Sequence, residues 1–208
     1  MYQIVEPKET SRAAAFELWR NSPTPMVTFL KTLDVSRLVR MSRRKGLKFN
    51  KLLCYCIGQA ATGIDEMFQL PVGDVFHRFD GLCIDVIVNV NKGGIQYCDI
   101  PFTDDFQKFS ADYDRLTREV AETGIYNDMC DSLMCIGTSA LVKYDIDAVI
   151  NAHSGYWNNP FIAWGSYRKG LFRTILPVSM QFHHAQMDGQ QAALYLDRLQ
   201  ETIKTLKI

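Results

Sequence analysis

The sequence has neither an excess of charge nor a long apolar run, and each shortage excludes a class of protein. Its 208 residues contain 23 Lys plus Arg and 23 Asp plus Glu, whereas proteins that bind nucleic acid or anionic membranes usually carry a basic excess. No apolar stretch approaches the roughly 20 residues that a membrane-spanning helix needs. The first seven residues lack the basic start and apolar core of a signal peptide. We therefore expect a cytoplasmic protein that binds neither nucleic acid nor membrane.

The cysteines lack the paired Cys-x-x-Cys spacing that is typical of zinc sites. Most of them lie in apolar runs, where a free thiol packs as a small hydrophobic group. We expect buried, reduced cysteines, without a metal site or a disulfide framework. The six residues are Cys54, Cys56, Cys83, Cys98, Cys130 and Cys135.

Length and composition fit a single globular domain over residues 1–208. Hydrophobic residues make up 47% of the chain and charged residues 22%, which is enough apolar material for a sizeable core, and the chain is too short for two ordinary domains. No internal repeat, low-complexity tract or linker interrupts it.

Helical and alternating patterns follow one another along the chain. Helical periodicity predicts helices over 7–21, 49–64 and 109–121, and another that begins near 189. Alternation of apolar and polar residues predicts strands over 24–35, 74–79, 82–90 and 95–100, and a last hairpin formed by 160–167 and 171–182. Residues 133–150 fit either a pair of strands or one strand followed by a loop.

The stretch Gln181-Phe-His-His-Ala-Gln-Met-Asp-Gly189 joins the last predicted strand to the last predicted helix. A histidine at the end of a strand is held by fixed backbone, and with an ordinary pKa of about 6.5 it is mostly neutral at pH 7 and suits a general base. A structural interpretation stays open, because either His183 or His184 taken alone is more often structural. Asp188 could simply cap the helix, with Gln191 completing a capping box. Two further histidines, His77 and His153, have no motif around them and are expected to be structural and solvent-facing, respectively.

The pattern His-His-x-x-x-Asp-Gly resembles the active-site signature of the chloramphenicol acetyltransferases, and more loosely that of dihydrolipoyl acyltransferases and peptide-synthetase condensation domains. The resemblance runs through nearly the whole chain. It implies an α+β fold, a two-layer α/β sandwich in which a mixed sheet is covered by helices. It also implies transfer of an acetyl group from acetyl-coenzyme A to a hydroxyl of chloramphenicol or a similar small alcohol.

The resemblance also implies catalytic roles for three residues. His184 matches the general base of the family. Arg12, four residues before Phe16, matches an arginine that holds the motif aspartate, here Asp188, in a buried ion pair. A planar guanidinium can bind a carboxylate through two parallel bonds, which fixes a loop better than a flexible ammonium does. Such enzymes need no metal and no covalent acyl-enzyme, and they are homotrimers with active sites at the subunit interfaces.

Further positions are assigned by the same resemblance. The resemblance implies that the acceptor pocket is lined by Trp19, Val27, Phe106 and Ala163, and that coenzyme A contacts Tyr167 and Lys48. Two of these positions depart from the family pattern, since Trp19 replaces a usual tyrosine and Ala163 replaces a threonine that binds an ordered water.

The segment that should supply a hydroxyl to the developing oxyanion departs most from the family. The serine of the family's Ser-x-x-Pro-Trp segment aligns with Gly137, so either Thr138 or Ser139 substitutes for it or the enzyme is slow on the usual substrate. Losing one such donor typically costs about 10²–10³ in turnover. Three functions therefore stay open: O-acetyl transfer, another acyl transfer such as the dihydrolipoyl type, and binding of acyl-coenzyme A by a catalytically weakened homologue.

Overall fold

The computed structural model describes residues 1–152, 155 and 157–208, so the expectation for His153 lies outside the described residues. None of the helices in these ranges is long and apolar enough to cross a membrane. The α-helices are α1 (Ala13–Trp19), α2 (Ser36–Lys45), α3 (Phe49–Ala61), α4 (Phe106–Thr123) and α5 (Gly189–Thr205). The strands are β1 (Tyr2–Val5), β2 (Met26–Asp34), β3 (Gln69–Val72), β4 (Val75–Phe79), β5 (Leu82–Asn89), β6 (Ile95–Pro101), β7 (Met134–Ala140), β8 (Phe161–Trp164), β9 (Arg168–Lys169) and β10 (Thr174–His183).

The larger of two sheets is mixed, as predicted. Its strands follow the order β2-β10-β8-β7-β5-β6, and β9 also pairs with β10. The pairs β5–β7 and β7–β8 are parallel, whereas the other pairs are antiparallel. Because β10 is hydrogen-bonded on both sides, the backbone that leads to His184 is rigidly placed.

Alternation along β10 divides its side chains between the two faces of this sheet. Leu176, Val178, Met180 and Phe182 belong to the main core, together with buried residues of α2, α3, α4 and α5. Gln181 points to the opposite face, where it lines a cavity. Helices α2 to α5 therefore form one layer and the larger sheet the other, which confirms the predicted α+β class.

Helix α5 begins at a capping box. Asp188 accepts a hydrogen bond from the amide of Gln190, and the side chain of Gln191 accepts one from the amide of Asp188. At its other side the helix packs on α3, where Tyr195 Oη donates to the carbonyl oxygen of Ile57 at 3.2 Å. The helix-cap interpretation of Asp188 is thus correct as a statement about structure.

A second sheet, with the strand order β1-β4-β3, holds α1 against the loop that follows β10. Phe16 of α1 packs edge-on against Phe76 of β4, with ring centroids 4.8 Å apart. Both rings share a small buried cluster with Ala185. This cluster fixes the start of α1, where Arg12 is the N-cap residue.

The structure corrects three predicted elements. Helix α1 is shorter than 7–21, because Thr10 Oγ1 accepts the amide of Arg12 at 3.1 Å and interrupts the helix. Helix α4 begins earlier than predicted, because Asp105 caps it by accepting two backbone amides. Over 133–150 the described chain contains one strand, β7, so the strand-and-loop alternative is correct and the strand pair is wrong.

Candidate functional site

His184 is the first residue after β10, and its backbone is held from two directions. Its amide donates a hydrogen bond to the carbonyl oxygen of Pro25 at 2.8 Å. Its own carbonyl oxygen accepts a hydrogen bond from Arg12 Nη2 at 2.9 Å. The side chain is half-buried. These contacts set the direction in which the imidazole leaves the strand.

Arg12 binds the loop after β10 at three points. Its Nη1 lies 2.9 Å from Asp188 Oδ2, its Nε donates to the carbonyl oxygen of Ala185 at 3.3 Å, and its Nη2 donates to that of His184. The side chain of Arg12 is only 6% exposed, so protein oxygens take the place of water around the guanidinium. The ion pair expected from the resemblance is present, and it coexists with the helix cap that the same aspartate forms.

The charge of Asp188 is maintained by its partners. Burial opposes ionisation, but the hydrogen bond from Arg12, the amide of Gln190 and the charge of Arg12 outweigh it and lower the pKa of Asp188 below its ordinary value. Asp188 is therefore ionised at neutral pH, and its pairing with Arg12 persists there.

The imidazole of His184 lies against Trp19. The two rings stack with centroids 4.5 Å apart and an angle of 15° between their planes. The Nδ1 atom of His184 is buried and has no hydrogen-bond partner among the described residues. Stacking and the anchored backbone therefore orient the ring. The predicted role of Trp19 in acceptor binding stays a prediction, since its contacts within the chain are with the imidazole and with the cluster of Phe16, Phe76 and Ala185.

His183 has a structural role in the same turn. It is 3% exposed, and its Nδ1 accepts a hydrogen bond from the amide of Ala185 at 3.1 Å. This bond occupies one ring nitrogen and stabilises the turn out of β10. Of the two adjacent histidines, His184 is the candidate base.

The sheet face opposite the helices carries a cavity of about 450 Å³. Gly137 lies in its wall, between side chains from β5, β6, β8 and β10. The surface of the wall is mostly apolar, but aspartate, asparagine and glutamine side chains also contribute to it, a combination that is usual for sites that bind small molecules. Among the described lining residues are Met26, Ile87, Tyr97, Trp157, Phe161 and Gln181.

Three predicted acceptor-pocket residues lie elsewhere in the described structure. Val27 pairs with Phe182 across β2 and β10 and packs against the main core on the helix side. Phe106 is buried at the start of α4, with its ring edge-on to Tyr55. Ala163 is buried in β8. Within the chain these three side chains do not line the cavity. Strand alternation directs Val27 toward the main core, and the start of α4 does the same for Phe106.

The three predicted oxyanion residues occupy the middle of β7. Thr138 faces the core, and its hydroxyl donates to the carbonyl oxygen of Asp85 at 2.7 Å. A Cβ at Gly137 would lie 2.5 Å from Cδ2 of Phe161, so a side chain fits there only if Phe161 moves. Ser139 pairs with Ala163 of β8. Thr138 is therefore not a free donor, and Gly137 has none.

Two acidic residues that the sequence prediction missed lie in the cavity wall. Asp85 and Asp99 face each other across β5 and β6. Burial and then the charge of Asp99 raise the pKa of Asp85 to about 7, and burial also raises the pKa of Asp99. Neither forms an ion pair within the described part of the chain. The available signal was an aspartate inside each of two adjoining apolar strands, where this residue is uncommon.

The thiols near Asp99 are hydrogen-bond donors. Cys135 Sγ donates to Asp99 Oδ1 at 3.3 Å and Cys130 Sγ to Oδ2 at 3.7 Å. Asp99 also lies with Cys83 and Cys135 in one group, and with Asp128 and Cys130 in another, whose possible ligand atoms are within 4.8 Å of one another. All six cysteines are free and all but Cys130 are buried. These contacts are those of protonated thiols, and we assign no metal to the two groups.

The two residues predicted to contact coenzyme A lie at one place on the helix side. Lys48 precedes α3 and is exposed, with Nζ 3.8 Å from Asp114 Oδ1. The ring of Tyr167 lies 5.3 Å from that of Phe49, the first residue of α3. Tyr167 thus lies against the first residue of α3, next in sequence to Lys48, although the chain separates the two by more than 100 residues.

A family model described as chloramphenicol acetyltransferase matches residues 1–200. Chloramphenicol acetyltransferase 3 of Escherichia coli is 24% identical over 204 residues, which cover 96% of each protein. A chloramphenicol acetyltransferase of Staphylococcus aureus is 22% identical over 216 residues, covering 98% of this chain and 96% of the relative.

Solved structures have the same fold. One named chloramphenicol acetyltransferase superposes with a TM-score of 0.83 at 17% identity, covering 98% of this chain and 100% of the other. A dihydrolipoamide acetyltransferase of Azotobacter vinelandii superposes with a TM-score of 0.67 at 16% identity, covering 93% and 86%. That structure belongs to an investigation of the role of a serine, a histidine and an asparagine in the catalytic mechanism of that protein.

Proposed function

Since the chain belongs to the chloramphenicol acetyltransferase family and is an acyltransferase, we propose that it transfers an acetyl group from acetyl-coenzyme A to a hydroxyl of chloramphenicol or a similar small alcohol. His184 is the general base. The observation that carries the proposal is the anchoring of His184, which leaves β10 stacked on Trp19 while Arg12 binds its carbonyl oxygen. A base held in this way meets a bound hydroxyl in a defined direction.

The reaction needs one proton shuttle. His184 takes the proton of the acceptor hydroxyl as the oxygen attacks the thioester carbonyl carbon. The new C–O bond forms while the carbonyl π electrons move to oxygen, which gives a tetrahedral oxyanion. When this intermediate collapses, the C–S bond breaks and the departing thiolate recovers the proton from His184. The proposal requires no metal and no covalent acyl-enzyme.

Arg12 and Asp188 act in this proposal without touching either substrate. Their ion pair, together with the bonds from Arg12 to two carbonyl oxygens, holds the turn between β10 and α5 in one shape. Asp188 does not contact the imidazole and is a positioning residue for His184.

The cavity of about 450 Å³ is the proposed acceptor site, because its volume and largely apolar wall suit a small organic alcohol. The two bacterial relatives are named for chloramphenicol, which makes this antibiotic the first acceptor to test and resistance to it the expected biological effect. Acetyl-coenzyme A is proposed to contact Lys48 and Tyr167.

We propose a homotrimer in which each active site lies between two subunits, so that His184 of one chain serves the cavity of the next. The separation within the chain supports this arrangement, since His184 is not among the described residues that line the cavity. The proposed setting is the cytoplasm, where free cysteines such as those of this chain stay reduced.

A dihydrolipoyl-type transfer is the second candidate, and the fold likeness to dihydrolipoamide acetyltransferase favours it. A third is a homologue that binds acyl-coenzyme A without turning it over, which the missing side chain at Gly137 favours. These candidates differ in the acceptor they use and in whether free coenzyme A is produced.

Release of free thiol from acetyl-coenzyme A tests the proposal when it is followed with chloramphenicol, other small alcohols and dihydrolipoamide. We expect turnover with an alcohol and a loss of about 10²–10⁴ in His184→Ala, the usual contribution of a general base. His77→Ala is the control, because His77 lies in β4 against Tyr2. A thiol acceptor alone would favour the second candidate, and binding of acetyl-coenzyme A with equal, negligible turnover in wild type and His184→Ala would reject catalysis.

A further inference from the structure

At Gly137 the middle of β7 has no side-chain hydrogen-bond donor on the cavity side, and Ser139 is the next residue on that face. Phe161 occupies the space beside Gly137, and the hydroxyl of Thr138 is bound to the backbone on the core side. Ser139 is not among the described residues that line the cavity. The polar side chain that lines the cavity beside Gly137 therefore comes from a neighbouring strand.

Asp85 is the polar side chain beside this position. Strand β5 runs parallel to β7, and their register places Asp85 directly opposite Gly137. Neighbouring strands lie about 4.8 Å apart, so the carboxyl of Asp85 reaches the space in front of Gly137, and both residues line the cavity. Asp85 Oδ1 accepts the amide of Cys98 at 3.1 Å. No described residue donates to Oδ2, which leaves this oxygen for a ligand.

The surroundings of Asp85 favour its protonated form. Burial raises its pKa to about 7, and Asp99 and Asp128 add to the effect. A protonated carboxyl is a hydrogen-bond donor, which an ionised one is not. The described titratable groups around Asp85 include no cation. They lie on its own strand, on α3, β6 and β7, and in the segment before β7, and they are Cys54, Cys83, Tyr97, Cys98, Asp99, Asp128, Cys130 and Cys135.

We propose that the protonated carboxyl of Asp85 donates the hydrogen bond that stabilises the oxyanion of the tetrahedral intermediate. The inference rests on the proposed acetyl transfer and names its missing donor. His184 alone moves the reaction's proton, from the acceptor hydroxyl to the departing thiolate. Asp85 keeps its proton on Oδ2 while the C–O bond forms and the C–S bond breaks, and its hydrogen bond is strongest when the charge on the carbonyl oxygen is greatest.

Three variants test this role through the pH dependence of thiol release with the best acceptor of the panel. Asp85→Asn keeps a donor of the same size, whereas Asp85→Ala removes it. Asp131→Asn is the matched control, because it removes an exposed carboxylate outside the cavity without removing the donor. Thermal unfolding of each variant checks that it folds.

We expect kcat to fall about 10²–10³-fold in Asp85→Ala, while the KM for acetyl-coenzyme A changes little. Asp85→Asn should stay within about tenfold of wild type and lose the decline in kcat that we expect of wild type as the pH rises through about 7. Asp131→Asn should keep that decline. If Asp85→Ala retains the wild-type kcat, or if Asp85→Asn and Asp85→Ala lose activity equally with unchanged pH profiles, the inference is wrong and the proposed function stands. If wild type itself has no His184-dependent turnover, both are wrong.

Discussion

Arg12 and Asp188 are separated by 176 positions in the chain, yet Arg12 Nη1 lies 2.9 Å from Asp188 Oδ2. The pair closes the turn that carries His184 onto the start of α1. Because the guanidinium also binds the carbonyl oxygens of His184 and Ala185, one side chain couples the first helix to the proposed base.

Arg12→Lys should weaken catalysis more than it weakens folding. An ammonium cannot reach the carboxylate and both carbonyl oxygens at once, so we expect kcat to fall about 10–100-fold and stability to fall by about 1–3 kcal/mol. Turnover and urea unfolding measure the two effects. Arg20→Lys is the control, because Arg20 pairs with exposed carboxylates and should change stability by less than about 1 kcal/mol. Equal effects of the two substitutions would contradict the role given to Arg12.

Trp19→Ala should lower kcat by releasing the imidazole of His184, whereas Trp19→Phe should preserve most of it, since a smaller aromatic ring still stacks. We expect a loss of about tenfold or more for the alanine variant and a smaller one for phenylalanine. Leu18→Ala is the control on the same helix. The side chain of Leu18 is 70% exposed, so its removal should leave turnover unchanged. A higher KM for the acceptor, with kcat unchanged, would instead indicate that Trp19 only binds substrate.

Gly137→Ser should destabilise the protein, because its Cβ would lie 2.5 Å from the Phe161 ring. Overpacking of this kind costs about 1–3 kcal/mol. Adding Phe161→Leu should restore part of this loss, so the two substitutions should be non-additive in urea unfolding. Phe161→Leu alone is the control. If the double variant also gains turnover, a hydroxyl at position 137 is a working donor; strict additivity in stability would show that the clash is absent.

Stability should depend on pH through Asp85. Its pKa is raised by burial from 3.8 in the unfolded reference to about 7 in the fold. Between these values the folded protein retains a proton that the unfolded chain has released. This contribution to stability is therefore complete below about pH 4 and is lost as the pH rises through about 7. Urea midpoints at several pH values should fall more steeply for wild type than for Asp85→Asn. Asp131→Asn, at an exposed position, should follow wild type, and parallel curves for all three proteins would contradict the prediction.

The protein should sediment as a trimer of 23.8 kDa chains, and the trimer should be the active species. Refolding a mixture of His184→Ala and Asp85→Ala subunits should recover activity in mixed trimers. At some interfaces the intact His184 of one subunit then faces the intact Asp85 of the other. An active monomer in sedimentation velocity would reject the shared site.

Much of the fold followed from pattern. The alternation over 24–35 and 82–100 predicted β2, β5 and β6, and the apolar run before His183 predicted β10. The prediction erred where a local hydrogen bond decided the boundary, as Thr10 and Asp105 show. It also missed β3, a short strand whose place depends on pairing with β4.

The sequence by itself determined the class of fold and the site motif, because periodicity and the spacing of Arg12, His184 and Asp188 are local or family properties of the chain. Only the tertiary structure decided which side chains share the cavity, since a strand's alternation gives two faces without telling which one the helices cover. For that reason the assignment of Val27 to the acceptor site stays a prediction, and the structure adds that its side chain packs against the main core. Asp85 could be recognised beside Gly137 only after the parallel register of β5 and β7 was known.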